Sequence, residues 1–249
     1  MTRHNQTIRS TSMHMAGIAL LFVAAGVAVS TLVSLFNQRV DSVSLLLATV
    51  IVGFAGLLLF TSTKLGKTDQ ASIFTAVGTT WLIVSLFGTI PYLLAGTFSR
   101  TGIGIPEVFV DSLFESVSGF TASGSTVFGA HNPIEMQGSG ILFYRQLTQW
   151  MGGMGIVILV VSVLPSLRAS GLGLIDAEAP GAGVERIAPR VVETAKKFWY
   201  VYLSLTVFIA LALFLFGMGP FDAVSHALTT ASTGGFSTKD SSLGHWNSI

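Results

Sequence analysis

The sequence predicts an all-α integral membrane protein: transmembrane helices interrupted by two re-entrant units, each a half-length helix followed by a polar loop. Three observations carry this. Of 249 residues, 51% are hydrophobic and only 10% charged, with a mean hydropathy of +0.71. Soluble domains carry about 25% charged residues, so this chain has too little polar surface to face water. Five apolar runs are long enough to cross a bilayer. Finally, "GFTASGSTVF" (119–128) and "TTASTGGFST" (229–238) break the apolar texture with Gly, Ser and Thr. Other classes are excluded early. A net charge of +1 offers no field for nucleic acid, and the absence of cysteine rules out disulfides, thiol catalysis and Cys-based metal sites. His4, His14, His131 and His245 show no metal-ligand spacing.

In chain order, a basic head precedes the first apolar run, 15–36. At 1.5 Å per residue this run covers roughly 33 Å, a retained span rather than a signal-peptide core. The second run is 42–62, and the third, 71–98, contains Pro91, a kink site. A helix-compatible segment follows at 108–118, roughly 16 Å long and half a hydrocarbon core. The fourth run, 140–167, carries "QWMGGMGIVIL", whose Gly152, Gly153 and Gly155 permit close approach of a neighbouring backbone, read first as helix packing. Segment 168–197 holds nine charges with Gly/Pro punctuation and reads as a loop with a short helix. The fifth run, 198–217, begins after Lys196 and Lys197, which suit interface anchors. A second half-length segment, 221–230, leads into the second polar stretch. The expected divisions are an N-terminal helix pair (1–69), a first unit (70–167), a cytoplasmic loop (168–197) and a second unit (198–249).

Orientation follows from Lys and Arg. With the N-terminus inside and both short units dipping from outside, nine basic residues lie inside and four outside: Arg39, Arg100, Arg145 and Lys239. The two units read as an internal repeat. Asp111 and Asp222 are 111 residues apart but Gly124 and Gly234 are 110 apart, which demands a one-residue slip. Non-helical backbone at membrane depth must be buried in protein or line a water-filled cavity. Extended Gly/Ser/Thr backbone beside a pore can turn its carbonyls inward and replace the water around a cation, and the negative end of each half helix favours that cation.

Taken together, "DSLFESVSGFTASGSTVF", "YRQLTQWMGGMGIVIL", "EAPGAGVERIAPRVVETAKKFWYVYL" and "HALTTASTGGFST" resemble the Trk/Ktr/HKT superfamily of potassium transporters, in its bacterial Trk branch. The resemblance implies inward potassium transport across the bacterial inner membrane through a pore of four non-identical units, with potassium as substrate, no cofactor and no enzymatic activity. It carries filter positions onto Thr121, Ala122, Ser123, Gly124 and Ser125, and onto Ser232, Thr233, Gly234 and Gly235. A glycine at Gly124, where relatives that admit sodium have serine, favours potassium. A homodimer in membrane lipid and a cytosolic nucleotide-binding regulatory subunit are implied as well. The chain stops after the second filter, before an inner helix, so a fragment of a four-unit protein is the expectation.

Other readings stand beside this one. A solute symporter with broken helices also uses Gly-rich unwound backbone, but its repeats are inverted, whereas these two units enter from one side. An intramembrane serine protease would use Ser123 as nucleophile and His226 as base, leaving the repeat unexplained. Gly124 and Gly234 are turn glycines on the plainer reading. Asp111 and Glu115 are either solvated loop acids or acids drawing cations to the outer mouth. Asp222 fits a helix N-terminus, and His226 a hydrogen-bonded structural role.

Overall fold

The computed structural model describes residues 2–37, 41–65, 70–99, 104–155 and 187–246. The elements are α1 (Thr2–Phe36), α2 (Ser42–Ser62), α3 (Gln70–Phe87), α4 (Ile90–Leu94), α5 (Ile105–Phe120), α6 (139–155), α7 (Ile187–Leu215) and α8 (Pro220–Ala231), with short 3-10 turns at Ile134–Met136 and Ser242–His245. Among the described residues there is no strand, only an isolated bridge between Gly129 and Asn132. Among the described residues four segments are long and apolar enough to cross a membrane: Ile8–Phe36, Ser42–Ser62, Ile73–Leu94 and Glu193–Leu215. The chain is therefore mostly helical, as its composition demands. Of the expected fourth span, 140–167, the helix is seen over 139–155; the remainder, and most of the 168–197 loop, lie outside the described residues.

Helices α1 and α2 form an antiparallel pair whose approach is set by glycine. A Cβ on Gly17 would stand 2.7 Å from the Phe60 backbone nitrogen, and one on Gly56 2.9 Å from that of Leu21. Only glycine admits so short a separation between helices in lipid. Leu20, Val23 and Val27 of α1 bury against Leu45, Ala48 and Val52 of α2. The opposite face of α2 exposes Leu46, Val50, Phe54 and Leu57. An apolar face of this extent belongs against lipid.

The third expected span bends, but before Pro91 rather than at it. Helix α3 stops at Phe87, Gly88 and Thr89 form a turn, and α4 restarts with Pro91 in its first turn. Proline has no N–H to donate and clashes with the carbonyl four residues back, that of Phe87. The Gly88 carbonyl, released from the ladder, accepts a bond from the Tyr144 hydroxyl at 2.9 Å. Helix α7 begins at Ile187, so 187–197, expected within the loop, continues the membrane helix.

Helix α6 reverses the usual pattern. Residues 139–149 are all buried, including Arg145, Gln146, Thr148 and Gln149. The four candidate spans among the described residues expose apolar side chains, whereas α6 is enclosed over 139–149 together with its polar groups.

Candidate functional site

The two polar stretches grow from two helices built alike. Helix α5 opens after Gly104 with Pro106 and Glu107 in its first turn; α8 opens after Gly219 with Pro220 and Asp222. Proline at the start costs no helical bond and the acid suits the positive end of the dipole. At 16 and 12 residues the helices are roughly 24 and 18 Å long, short of a hydrocarbon core of about 30 Å.

Both ends break in the same way. Thr121 and Ser232 terminate the helices with their N–H groups still bonded back. The Ala122 N–H then donates to the Gly119 carbonyl (2.9 Å) and Ser123 N–H to Ser118 (3.1 Å); Thr233 N–H donates to Thr230 (3.0 Å) and Gly234 N–H to Thr229 (2.8 Å). Left-handed residues alternate with others: Ala122 (φ 52°) and Gly124 (φ 76°), then Thr233 (φ 57°) and Gly235 (φ 86°). Each feature recurs at an offset of 111 residues. No slip is present, so the backbone partner of Gly124 is Gly235 rather than Gly234.

The same offset organises the side chains behind the loops. The Thr126 hydroxyl donates to Glu115 (3.0 Å) and accepts from Phe128 N–H (3.1 Å). In the second unit Ser237 takes the place of Thr126: its Oγ lies 3.0 Å from His226 Nε2 and accepts from Lys239 N–H at 3.0 Å. His226, whose Nδ1 donates to the Asp222 carbonyl at 2.8 Å, thus stands where Glu115 stands in the first unit. His226 is buried and bonded at both ring nitrogens, a structural histidine as expected. Asp222 sits in the first turn of α8 and accepts from Thr238 at 2.6 Å.

The two stretches abut. A Cβ on Gly124 would collide with the Gly234 carbonyl oxygen. Helix α6 packs behind both: Gly152 lies against the Phe120 backbone and Gly153 within 2.9 Å (Cβ position) of Ser232. Consecutive glycines thus receive the ends of both short helices, a more specific service than general helix packing; Gly155 meets only Trp81 at ordinary contact. Thr121, Ser123, Ser125, Thr233 and Gly235 are exposed, Ala122 and Gly124 half-buried, Ser232 and Gly234 buried. Ser118 donates to the Ser125 carbonyl (2.5 Å) and its oxygen lies 2.9 Å from that of Ser123.

Several expectations need revision. Glu115 is neither a loop acid nor a mouth acid: it is fully buried, 2.5 Å from Arg145 Nε. Arg145, counted among the outer charges, is buried too, donating through Nη1 to the Ser237 carbonyl at 2.8 Å. Ser123 and His226 do not form a dyad, since Ser123 faces Ser118 and His226 faces Ser237. Gln149, with no role in the sequence reading, accepts from Phe236 N–H (3.1 Å) and from the Thr229 hydroxyl. The 111-residue offset could have matched Glu115 with His226 and Thr126 with Ser237; nothing in it points to Arg145 or Gln149. Among the described residues no group of three or more His, Asp and Glu is arranged to hold a metal.

Comparison with known proteins agrees with this architecture. The family profile described as TrkH, Cation transport protein, matches residues 43–249. The Trk system potassium uptake protein TrkH of Vibrio parahaemolyticus is 44% identical over 170 residues, covering 68% of this chain and 33% of the relative. Its counterpart in Escherichia coli (strain K12) is 40% identical over 169 residues, again 68% of this chain and 33% of the relative. The crystal structure of the potassium transporter TrkH from Vibrio parahaemolyticus superposes with a TM-score of 0.77 at 31% identity, over 96% of this chain and 46% of that one. The chain thus spans 33% of the length of these curated relatives. By sequence and by fold, this multi-pass membrane protein of the inner membrane belongs to the TrkH cation transport family, a family of transporters rather than enzymes.

Proposed function

We propose that the chain forms part of a potassium-uptake transporter and that 121–125 and 232–235 are two strands of a carbonyl-lined selectivity filter. The observation that carries this is the repeated backbone: the same helix break and left-handed alternation occur twice and the two segments touch at Gly124 and Gly234. Alternation of φ sign turns successive carbonyls to one side, as a row of cation ligands requires. The two half helices end at these strands and add partial negative charge beside them. On this reading α5 and α8 are re-entrant pore helices, 70–167 is the first unit, 198–249 belongs to the second, and 168–197 lies on the cytoplasmic side, its residues 187–197 forming the start of α7. Residues 1–69 are a helix pair outside the pore. A complete filter takes two further strands. The names of the relatives favour potassium as the substrate. A homodimer and a cytosolic nucleotide-binding subunit, placed against the inner face, complete the proposal.

The test is selectivity in the intact transporter. Gly124→Ser adds a Cβ to a left-handed residue, at a cost of about 1–2 kcal/mol, and drives it into the Gly234 carbonyl. Ser123→Ala leaves every carbonyl in place. Since about 1.4 kcal/mol is a factor of ten, Gly124→Ser is expected to lower the rubidium-to-sodium influx ratio roughly tenfold and Ser123→Ala to change it little. Influx is measured in cells lacking other potassium uptake, at matched expression. A ratio untouched by Gly124→Ser but collapsed by Ser123→Ala rejects the carbonyl assignment.

A further inference from the structure

Arg145 heads the described side chains in size among those fully withdrawn from solvent, and a filter of carbonyls makes no use of a guanidinium. Two of its nitrogens and its planar face have defined partners. Nε lies 2.5 Å from Glu115 Oε1 and Nη1 donates to the Ser237 carbonyl at 2.8 Å. Its planar face covers the Phe236 ring at 3.7 Å, with Phe128 at 5.1 Å. One turn further along α6, Gln149 accepts the Phe236 N–H at 3.1 Å. Side chains of the first unit therefore hold the N–H of one residue and the carbonyl of the next in the second unit. Glu115, at the other end of the ion pair, accepts from the Thr126 hydroxyl (3.0 Å) and Val127 N–H (3.2 Å), just past the first polar stretch. A continuous path runs from 126–127 through Glu115 and Arg145 to 236–237. Among the described residues no backbone hydrogen bond joins the two stretches directly; beside their contact at Gly124 and Gly234, this path links them through buried polar side chains.

We infer that Arg145 is a positioning residue: a strut between the two polar strands whose length sets their separation and hence ion discrimination. This rests on the carbonyl-filter reading above. A lysine supplies the charge but not the planar fork, so it can neutralise Glu115 without bonding Ser237 and stacking on Phe236 together.

Two variants of the intact transporter test the strut. Arg145→Lys keeps the charge balance. The pair Glu115→Gln with Arg145→Gln removes both charges and leaves no buried ion unpaired. Both are expected to reach the membrane in normal amount, with a single size-exclusion peak after extraction, and to lower the rubidium-to-sodium influx ratio about fivefold. An unchanged ratio in Arg145→Lys overturns the inference, because neutralising Glu115 then suffices. An unchanged ratio in the double variant overturns it as well. If the double variant does not accumulate, Arg145→Lys decides alone; loss of both assigns the pair to folding and rejects the strut. Gly124→Ser runs alongside: a ratio moved by Gly124→Ser but not at Arg145 rejects the strut and keeps the filter, and a ratio moved by neither rejects the filter.

Discussion

At the scale of single residues, the glycines of the second polar stretch do different work. Gly234 has ordinary φ, but a Cβ there would collide with the Gln149 amide; Gly235 has φ +86° and open space around the Cβ position. Shape constrains the first and backbone conformation the second. Asparagine tolerates the left-handed region and β-branched residues do not. Gly235→Asn is therefore expected to retain most rubidium influx and Gly235→Val to lose most of it, with Gly234→Asn as damaging as Gly235→Val because space, not φ, is lacking at 234. Equal loss for both asparagine variants would contradict this division. The sequence alone could not make it. A Gly–Gly pair matches Gly124 equally well with either member, and only the backbone angles choose. Arg145 was illegible for another reason: its partners lie 30 and 92 residues away, and no local pattern reports them.

At the scale of elements, the half helices, the polar breaks after them and the span boundaries of α2 were readable, because length and apolarity against a bilayer leave few choices. The start of α7 was not. The expected boundary at 198 is where charge stops, but a helix need not stop at the hydrocarbon edge. In water it runs on through exposed polar residues, here with Glu193 and Lys197 paired at 3.1 Å one turn apart. Such an exposed pair adds little stability; what matters is that nothing in 187–197 after Pro189 breaks a helix, and proline is tolerated in a first turn. The α1–α2 contact yields a prediction at this scale. Gly56→Leu forces a side chain into the Leu21 backbone, and overpacking of this kind costs about 1–3 kcal/mol. The purified protein is expected to melt several degrees lower in detergent, with the rubidium-to-sodium ratio intact, because Gly56 faces only Gly17, Leu20 and Leu21 of α1.

At the scale of the whole molecule, two units lean on one central helix, and consecutive glycines of α6 receive the ends of α5 and α8. On the proposed orientation, burial of Arg145 removes it from the outer charge count and leaves three basic residues outside against nine inside. Because the chain has no cysteine, introduced thiols report without background. Ser241→Cys is expected to react with an impermeant maleimide on intact cells, and Leu65→Cys only after permeabilisation; the reverse pattern would invert the topology. The reach of Arg145 also fixes an order of events at birth. At about 5–20 residues per second, the 92 residues between Arg145 and Ser237 take on the order of 5–20 s to synthesise. Throughout that interval α6 must leave the ribosome and enter the membrane with its cation unanswered by the second unit. Glu115, made 30 residues earlier, is already there to meet it. A carboxylate able to pair with the guanidinium is thus present in the chain before the second unit exists.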